Sequence, residues 1–254
     1  MLGGTIYSAK QLRNDQSFNV VAAARNICLV SYFEDAPLHS PIVLADNLYK
    51  MSTFTSSLTW RRAAKAFGSV GPAPDISPVL KAIHLAPSSI GLQPYTVHVV
   101  TTPAMLAKLP SVCGNQQQVT QATAVLVFAA KKAGTPNGKH IVEQRHLREH
   151  APQFADSIMK SMEGLDSSGK ALSWSQRQAY IGLGFALAAA AEHRIASCPM
   201  EGFSPADLGA LIGVPDDEEA SVIMAIGRMH ESDAAYTGGH PQWRKPEAEL
   251  FKFL

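Results

Sequence analysis

From Ala179 to Ala191 the chain carries no charge: Tyr180, Ile181, Gly182, Leu183, Gly184 and Phe185 lead into a run of alanines broken only by Leu187. The stretch falls well short of the ~20 residues that span a bilayer, so it predicts a buried helix. Gly182, Gly184 and the alanines would let a second helix approach closely, with the glycines costing some intrinsic helix stability. Such a helix belongs at the centre of a fold or at a subunit interface.

The 254 residues are enough to bury a large core within one domain. With 22 basic and 21 acidic residues the net charge is +1, which gives no electrostatic ground for a nucleic-acid or anionic-membrane partner. A small anionic ligand needs only a few local charges and stays open. Cys28, Cys113 and Cys198 are odd in number, far apart and without C-x-x-C spacing. They predict neither a disulfide framework nor a zinc knuckle, and they fit a reducing, cytoplasmic setting.

Residues 1–50 differ from the rest. They lack a strong period, and up to Leu29 a single acid, Asp15, stands against Lys10, Arg13 and Arg25. That composition resembles a mitochondrial transit peptide until Glu34, Asp35 and Asp46 depart from it. Translation from Met51 is the other reading. Residues 1–50 are therefore taken as an N-terminal extension and 51–254 as the folded domain.

Beyond Ser57 the pattern alternates. Ile76 to Leu85, with apolar Ile76, Val79, Leu80 and Ile83 and with Ser77-Pro78 at its start, predicts an amphipathic helix. Thr96 to Val100 reads as a strand and Pro103 to Leu109 as a short helix. Ala122 to Ala129 is apolar on both faces and predicts a buried strand, and Ser221 to Gly227 another. Helices are expected around Ile141 to Met162, from Trp174 onward, and over Ser204 to Ile212, where Ser204 would be the N-cap and Pro205 the first helical residue. Few strands among many helices make the class α+β.

Several motifs carry less than they promise. Gly164 to Ala171 has the GxxxxGK spacing, but Ala171 stands where a magnesium-binding hydroxyl is required and no strand precedes it, so it reads as a polar loop between helices. His146-Leu147-Arg148-Glu149-His150 fits H-x-x-E-H, yet its helix is charged nearly all round, which favours a solvated face over zinc. No metal site is expected. His84 reads as a core or boundary histidine, and Gly182-Leu183-Gly184 lacks the third glycine of a dinucleotide fingerprint.

Arg61-Arg62-Ala63-Ala64-Lys65-Ala66-Phe67 is more informative, because helical spacing would set Arg61 and Lys65 on one face to clamp an anion. It is followed by Pro87-Ser88-Ser89-Ile90-Gly91-Leu92-Gln93-Pro94-Tyr95, then Asn115, then Pro199-Met200-Glu201-Gly202-Phe203, then Arg244-Lys245-Pro246. This colinear set, over about residues 57–250, resembles the FMN-dependent nitroreductase family. The resemblance implies that Arg61 binds the FMN phosphate, Lys65 the pyrimidine edge of the flavin, and that Arg62 and Ala63 complete the segment, Ala63 replacing a usual serine. It implies that Pro87, Ser88, Ser89 and Gln93 lie against the flavin and ribityl chain, that Asn115 meets the ring edge, and that the Glu201 and Gly202 backbone approaches N5. Arg244 would join Arg61 on the phosphate. Ala86, Tyr95, Gln118 and Gln242 depart from the family's usual residues.

By the same resemblance the fold is a mostly antiparallel sheet flanked by helices, forming a homodimer with the long apolar helix at the interface, a wrapping C-terminal tail and two FMN sites. The implied reaction is ping-pong: NADH or NADPH reduces FMN, and a nitroaromatic or quinone then takes two electrons. Lys65 is the expected catalytic contributor, through its charge. Free flavin or enones are alternative acceptors, the segment from Phe154 to Leu172 a candidate lid, and a non-catalytic phosphate-ligand binding protein the rival from another class.

Overall fold

The computed structural model describes residues 54–133, 149 and 152–254. Residues 1–50, His146 and His150 lie outside them. The element that organises the rest is strand β2, Ala124–Lys131, whose first seven residues are fully buried, as an apolar run without alternation requires. It pairs antiparallel with β1, Tyr95–Val100, on one side and with β4, Glu218–Gly227, on the other. Strand β3, Ala196–Met200, adds antiparallel to β4, giving the order β1-β2-β4-β3 in a four-stranded sheet.

Alternation along the strands sorts their side chains into two cores. Leu126, Phe128, Val222, Met224 and Ile226 face a helical layer, where they meet Val79, Ile83, Leu183, Ala186 and Ala190. Val125, Val127, Ile223, Ala225, Cys198 and Met200 face the opposite way and meet Ala64, Phe67, Leu109 and Leu208. The class is thus α+β, with helices on both faces of the sheet.

The helical layer is built from α2, Ser77–Leu85, and the long helix that the charge-free run forecasts, which spans Ala171–Glu192. Numbered in chain order, the helices are α1 (Phe54–Trp60), α2, α3 (Pro103–Leu106), α4 (Leu109–Val112), α5 (Gln117–Thr120), α6 (Pro152–Ser167), α7 (Ala171–Glu192), α8 (Pro205–Ile212), α9 (Asp233–Thr237) and α10 (Glu247–Leu250). Helix α7 packs on α2 and β2, and its Gly182 admits a side chain: a Cβ there would stand 2.7 Å from the Tyr95 phenolic oxygen. Gly184, by contrast, opens onto free space. At α8, Ser204 caps the helix by accepting the Asp207 N–H, and Pro205 follows as expected.

Four expectations change. The helix expected over Pro103 to Leu109 is two short helices, α3 and α4. His84 is solvent-exposed at the end of α2, so no core role remains for it. Strand β3 has no forecast, because Ala-Ser-Cys-Pro-Met is short and holds a proline; Pro199 is tolerated because β3 is an edge strand. Finally, Arg61 to Phe67 is not helical: α1 ends at Trp60 and the chain continues without regular structure to a single antiparallel bridge between Gly68 and Arg228. Of the GxxxxGK segment, Gly164 to Ser167 form the last turn of α6 and Ala171 opens α7, so the loop between the two helices is only Ser168 to Lys170, with Gly169 at φ +67°.

Phe67 fastens the irregular segment to the end of β4. Its ring is 2% exposed, and a Cβ on Gly227 would fall 2.3 Å from Phe67 Cγ. Gly227→Ala is expected to cost about 1–3 kcal/mol, the range for overpacking a filled core, and to lower the thermal midpoint. Adding Phe67→Leu should return part of that loss; an unchanged midpoint in Gly227→Ala would contradict this packing.

Candidate functional site

Arg61 to Gly68 is irregular backbone, bent at Lys65, that reaches edge strand β3 at Ala64. The Ala64 N–H donates to the Ser197 carbonyl at 2.9 Å and the next N–H, of Lys65, to the Tyr236 carbonyl at 2.9 Å. Successive donors serving two different neighbours is not the habit of a helix. Arg61 and Lys65 nonetheless both come near Cys198 of β3, whose thiol feels both charges, while Ala64 is buried. Arg62 parts from them and lines a separate cleft with Trp60, Met229, His230 and Tyr236.

The cations that remain have little to neutralise them. Burial, and then Arg244 alongside, hold the Arg61 guanidinium below its usual pKa. Burial pushes the Cys198 thiol up, and Lys65 and Arg61 both pull it partly back, so the two cations flank β3 at this position. Among the described residues no ion pair joins Arg61, Lys65 or Arg244 to a carboxylate. The Lys65 stem lies against Gly238, where a Cβ would sit 3.0 Å from its Cγ. Gln242 Nε2 donates to the Arg61 carbonyl at 3.1 Å and ties the C-terminal segment to this cluster. Convergent cations without acids are a donor set for a phosphate or a comparable anion.

Three residues beyond Cys198, the chain leaves β3 through Glu201 and Gly202. Here Tyr180 of α7 donates its phenolic hydrogen to Glu201 Oε1. From the other side Gln116 Nε2 donates to the Gly202 carbonyl at 2.7 Å and to the Cys113 carbonyl at 3.1 Å. Gln118 in turn donates to Gln116 Oε1 at 3.3 Å and stands 4.0 Å from Cys198 Sγ. A Cβ on Gly202 would be 2.8 Å from Gln116 Nε2, so a side chain there would displace the Gln116 amide from its hydrogen bonds. Asn115, next to Gln116, is held at φ +50°, a conformation asparagine tolerates better than most residues.

The Pro87-Ser88-Ser89 turn is fixed to the same helix α7. Gln178 Oε1 accepts the Ser89 N–H at 2.8 Å, Ser88 Oγ accepts the Gln93 N–H at 2.8 Å, and Gln93 Nε2 reaches the His84 carbonyl at 3.2 Å. The expected site residues therefore form three groups: cations around Cys198, a turn after β3, and a serine turn on α7. Strand β3 links the first two, and Gln178 with Tyr180 links the last two. Gln116, Gln121 and Gln242 carry no sequence signal for a site, because a lone glutamine is ordinary surface composition.

Comparison with known proteins follows this geometry. The nitroreductase family model matches residues 58–228. The chain is 29% identical over 195 residues to the major NAD(P)H-flavin oxidoreductase of Aliivibrio fischeri, covering 71% of this chain and 88% of that one. It is 30% identical over 193 residues to a protein named as an NAD(P)H nitroreductase in Staphylococcus aureus strain USA300, covering 69% of this chain and 86% of that one. Its fold resembles a nitroreductase from Exiguobacterium sibiricum solved in complex with FMN, at a TM-score of 0.64 and 19% identity, over 79% of this chain and 97% of that one.

The Tyr180–Glu201 pair has a pH signature. Burial first, then the hydrogen bond and charge of Glu201, push the Tyr180 phenol up to about 12, above the ordinary range of a tyrosine. Because the folded value is the higher, the pair's contribution to stability is complete below about pH 10 and is lost as the pH rises through about 12. Glu201→Gln should bring the phenol part of the way back, leaving the share due to burial. NMR of labelled tyrosine, with the resonance assigned by its loss in Tyr180→Phe, reads this; an unmoved titration in Glu201→Gln would exclude the pairing.

Proposed function

The chain belongs to the nitroreductase family, and we propose that it is an FMN-dependent oxidoreductase that uses NADH or NADPH to reduce nitroaromatic or quinone acceptors in a ping-pong cycle. The observation that carries this reading is the set of Arg61, Lys65 and Arg244, converging without a neutralising carboxylate among the described residues. A phosphate-bearing cofactor fits that donor set, and no compact nucleotide motif elsewhere competes for the role. FMN, when bound, supplies the two-electron chemistry.

The chain's own residues bind and orient. Arg61 and Arg244 hold the phosphate, and the half-buried state of Arg61 strengthens its attraction for an anion. Lys65 sets a fixed positive charge beside the flavin's pyrimidine edge, where negative charge grows on reduction. Ala63 supplies no hydroxyl, which removes about 1.5–3 kcal/mol of cofactor binding if nothing replaces it. The Glu201–Gly202 main chain faces the reactive edge, and Ser88, Ser89 and Gln93 line the flavin from the turn on α7. The likeness to a flavin oxidoreductase adds free flavin as a further acceptor.

The site is completed by a second copy of the chain. Helix α7 turns Tyr180, Ile181 and Phe185 to solvent beside the open Gly184, and the tail exposes Trp243 (71%), Leu250, Phe251 and Phe253. Apolar surface of that extent on one protein calls for a partner. Ile181→Glu with Phe185→Glu is expected to move the protein from dimer to monomer in size-exclusion chromatography with light scattering, and to release FMN; a double variant that stays dimeric and yellow would argue against this face.

The experiment that tests the function is the visible spectrum of the purified protein supplemented with FMN, before and after NADH or NADPH under anaerobic conditions. Bands near ~370 and ~450 nm that bleach with nicotinamide are expected; a protein that takes up no FMN would reverse the reading in favour of a binding protein for another phosphate ligand. Lys65→Ala should keep FMN yet reduce a quinone at least about tenfold more slowly, and unchanged turnover would remove Lys65 from the chemistry.

A further inference from the structure

We infer that Gln116 and Tyr180 are a pair of positioning residues that fix the Glu201–Gly202 turn from opposite sides, and so set the geometry of the main chain that the flavin reading assigns to the reactive edge. The inference rests on that reading for its functional consequence and on the hydrogen bonds alone for its structural part.

A turn that leaves an edge strand has no ladder to hold it. After Met200 the chain has only the Phe203 N–H donating to the Glu201 carbonyl at 2.9 Å and the Ser204 N–H donating to the Val112 carbonyl at 3.0 Å. Side chains supply the rest. Tyr180 grips the Glu201 carboxylate from α7, and Gln116 grips the Gly202 carbonyl from the loop before α5. The Gln116 amide is itself immobilised, since its nitrogen also serves the Cys113 carbonyl and its oxygen accepts from Gln118. It occupies the space where a Gly202 side chain would lie, so a residue larger than glycine there would push the amide out of its clamp. One clamp comes from each layer of the fold, and they meet at the β3 exit, within three residues of the Cys198 position that Arg61 and Lys65 flank. Preorganised donors matter to catalysis only if they do not wander, and these two contacts are what keeps this backbone from doing so.

Amide exchange of the peptide covering residues 201–205, read by mass spectrometry on the protein without FMN, tests the clamp directly. Tyr180→Phe removes one hydrogen bond and keeps the ring, and should speed exchange about tenfold, the scale of one hydrogen bond to a charged group. Gln116→Glu provides its own control. A protonated carboxyl can donate to the Gly202 carbonyl and a carboxylate cannot, so after correction for intrinsic rates protection should be native near pH 4 and fall as pH rises to about 7. Wild-type protection should stay level across the same range. With FMN bound, Tyr180→Phe should accept electrons from NAD(P)H about tenfold more slowly at unchanged FMN affinity. Native exchange in both variants at every pH would overturn the clamp, and native reduction rates despite faster exchange would overturn its functional consequence. Failure of the wild-type protein to bind FMN would count against the flavin reading alone, because the exchange result decides the clamp without the cofactor.

Discussion

Backbone that belongs to no helix or sheet still has to satisfy its N–H and C=O groups, and here glutamine amides do it at each segment of the site. Gln121 accepts the Phe67 N–H, Gln178 accepts the Ser89 N–H, Gln116 donates to the Gly202 carbonyl and Gln242 donates to the Arg61 carbonyl. An amide side chain offers a donor and an acceptor on one short stem, so the same residue type can meet either need. It also carries no charge. A carboxylate could replace only the accepting amides, Gln121 and Gln178, since it has no hydrogen to give to the Gly202 or Arg61 carbonyl, and its charge would act on the cations nearby, while a lysine or arginine would add to their repulsion. The neutral clamps hold the segments and leave the electrostatics of Arg61, Lys65 and Arg244 to a ligand.

Those electrostatics are unfavourable as they stand. Arg61 is taken partly out of water and set beside Arg244, and both facts act against its charge. A folded chain tolerates such an arrangement only if other contacts over-determine it, and the irregular segment is anchored at Ala64, Lys65, Phe67 and Gly68 by backbone donors as well as by the buried Phe67 ring. An anion that binds there relieves the repulsion and gains attraction in a medium less polar than water. The cofactor's affinity and the folded state of the segment are therefore coupled, with binding adding to stability by mass action.

What the sequence reveals follows from how many neighbours a feature needs. Strands β2 and β4 are legible because burial on both faces writes itself as an unbroken apolar run. Helix α7 is legible for the same reason, and the Ser204-Pro205 cap because its chemistry is local. The irregular course of Arg61 to Phe67 is not legible, since the local spacing suits a helix; only the partners Ser197, Tyr236 and Gln121, all distant in sequence, hold it open. Strand β3 exists because β4 offers it an edge, and nothing in Ala-Ser-Cys-Pro-Met announces that. The order of the motifs made the family readable before any geometry, whereas the glutamine clamps, each spanning 54 to 181 positions apart from the short reach of Gln116 to Cys113, could be found only in three dimensions.

The other end of the sheet pairs its cation within the fold. Glu218 is buried on β4, yet Lys131 approaches it at 2.6 Å, Thr96 donates to it at 2.8 Å, and His98 stands 3.8 Å away on β1. A buried charge there is matched by an opposite one and by a hydroxyl, which is how a structural ion is made tolerable. Both arrangements sit on the same four strands and use the same residue types. They differ in whether the acid is present. Lys131 is held by carboxylates of the fold itself, whereas beside β3 no described residue offers one to Arg61, Lys65 or Arg244, and under the proposed reading that negative charge comes from the ligand.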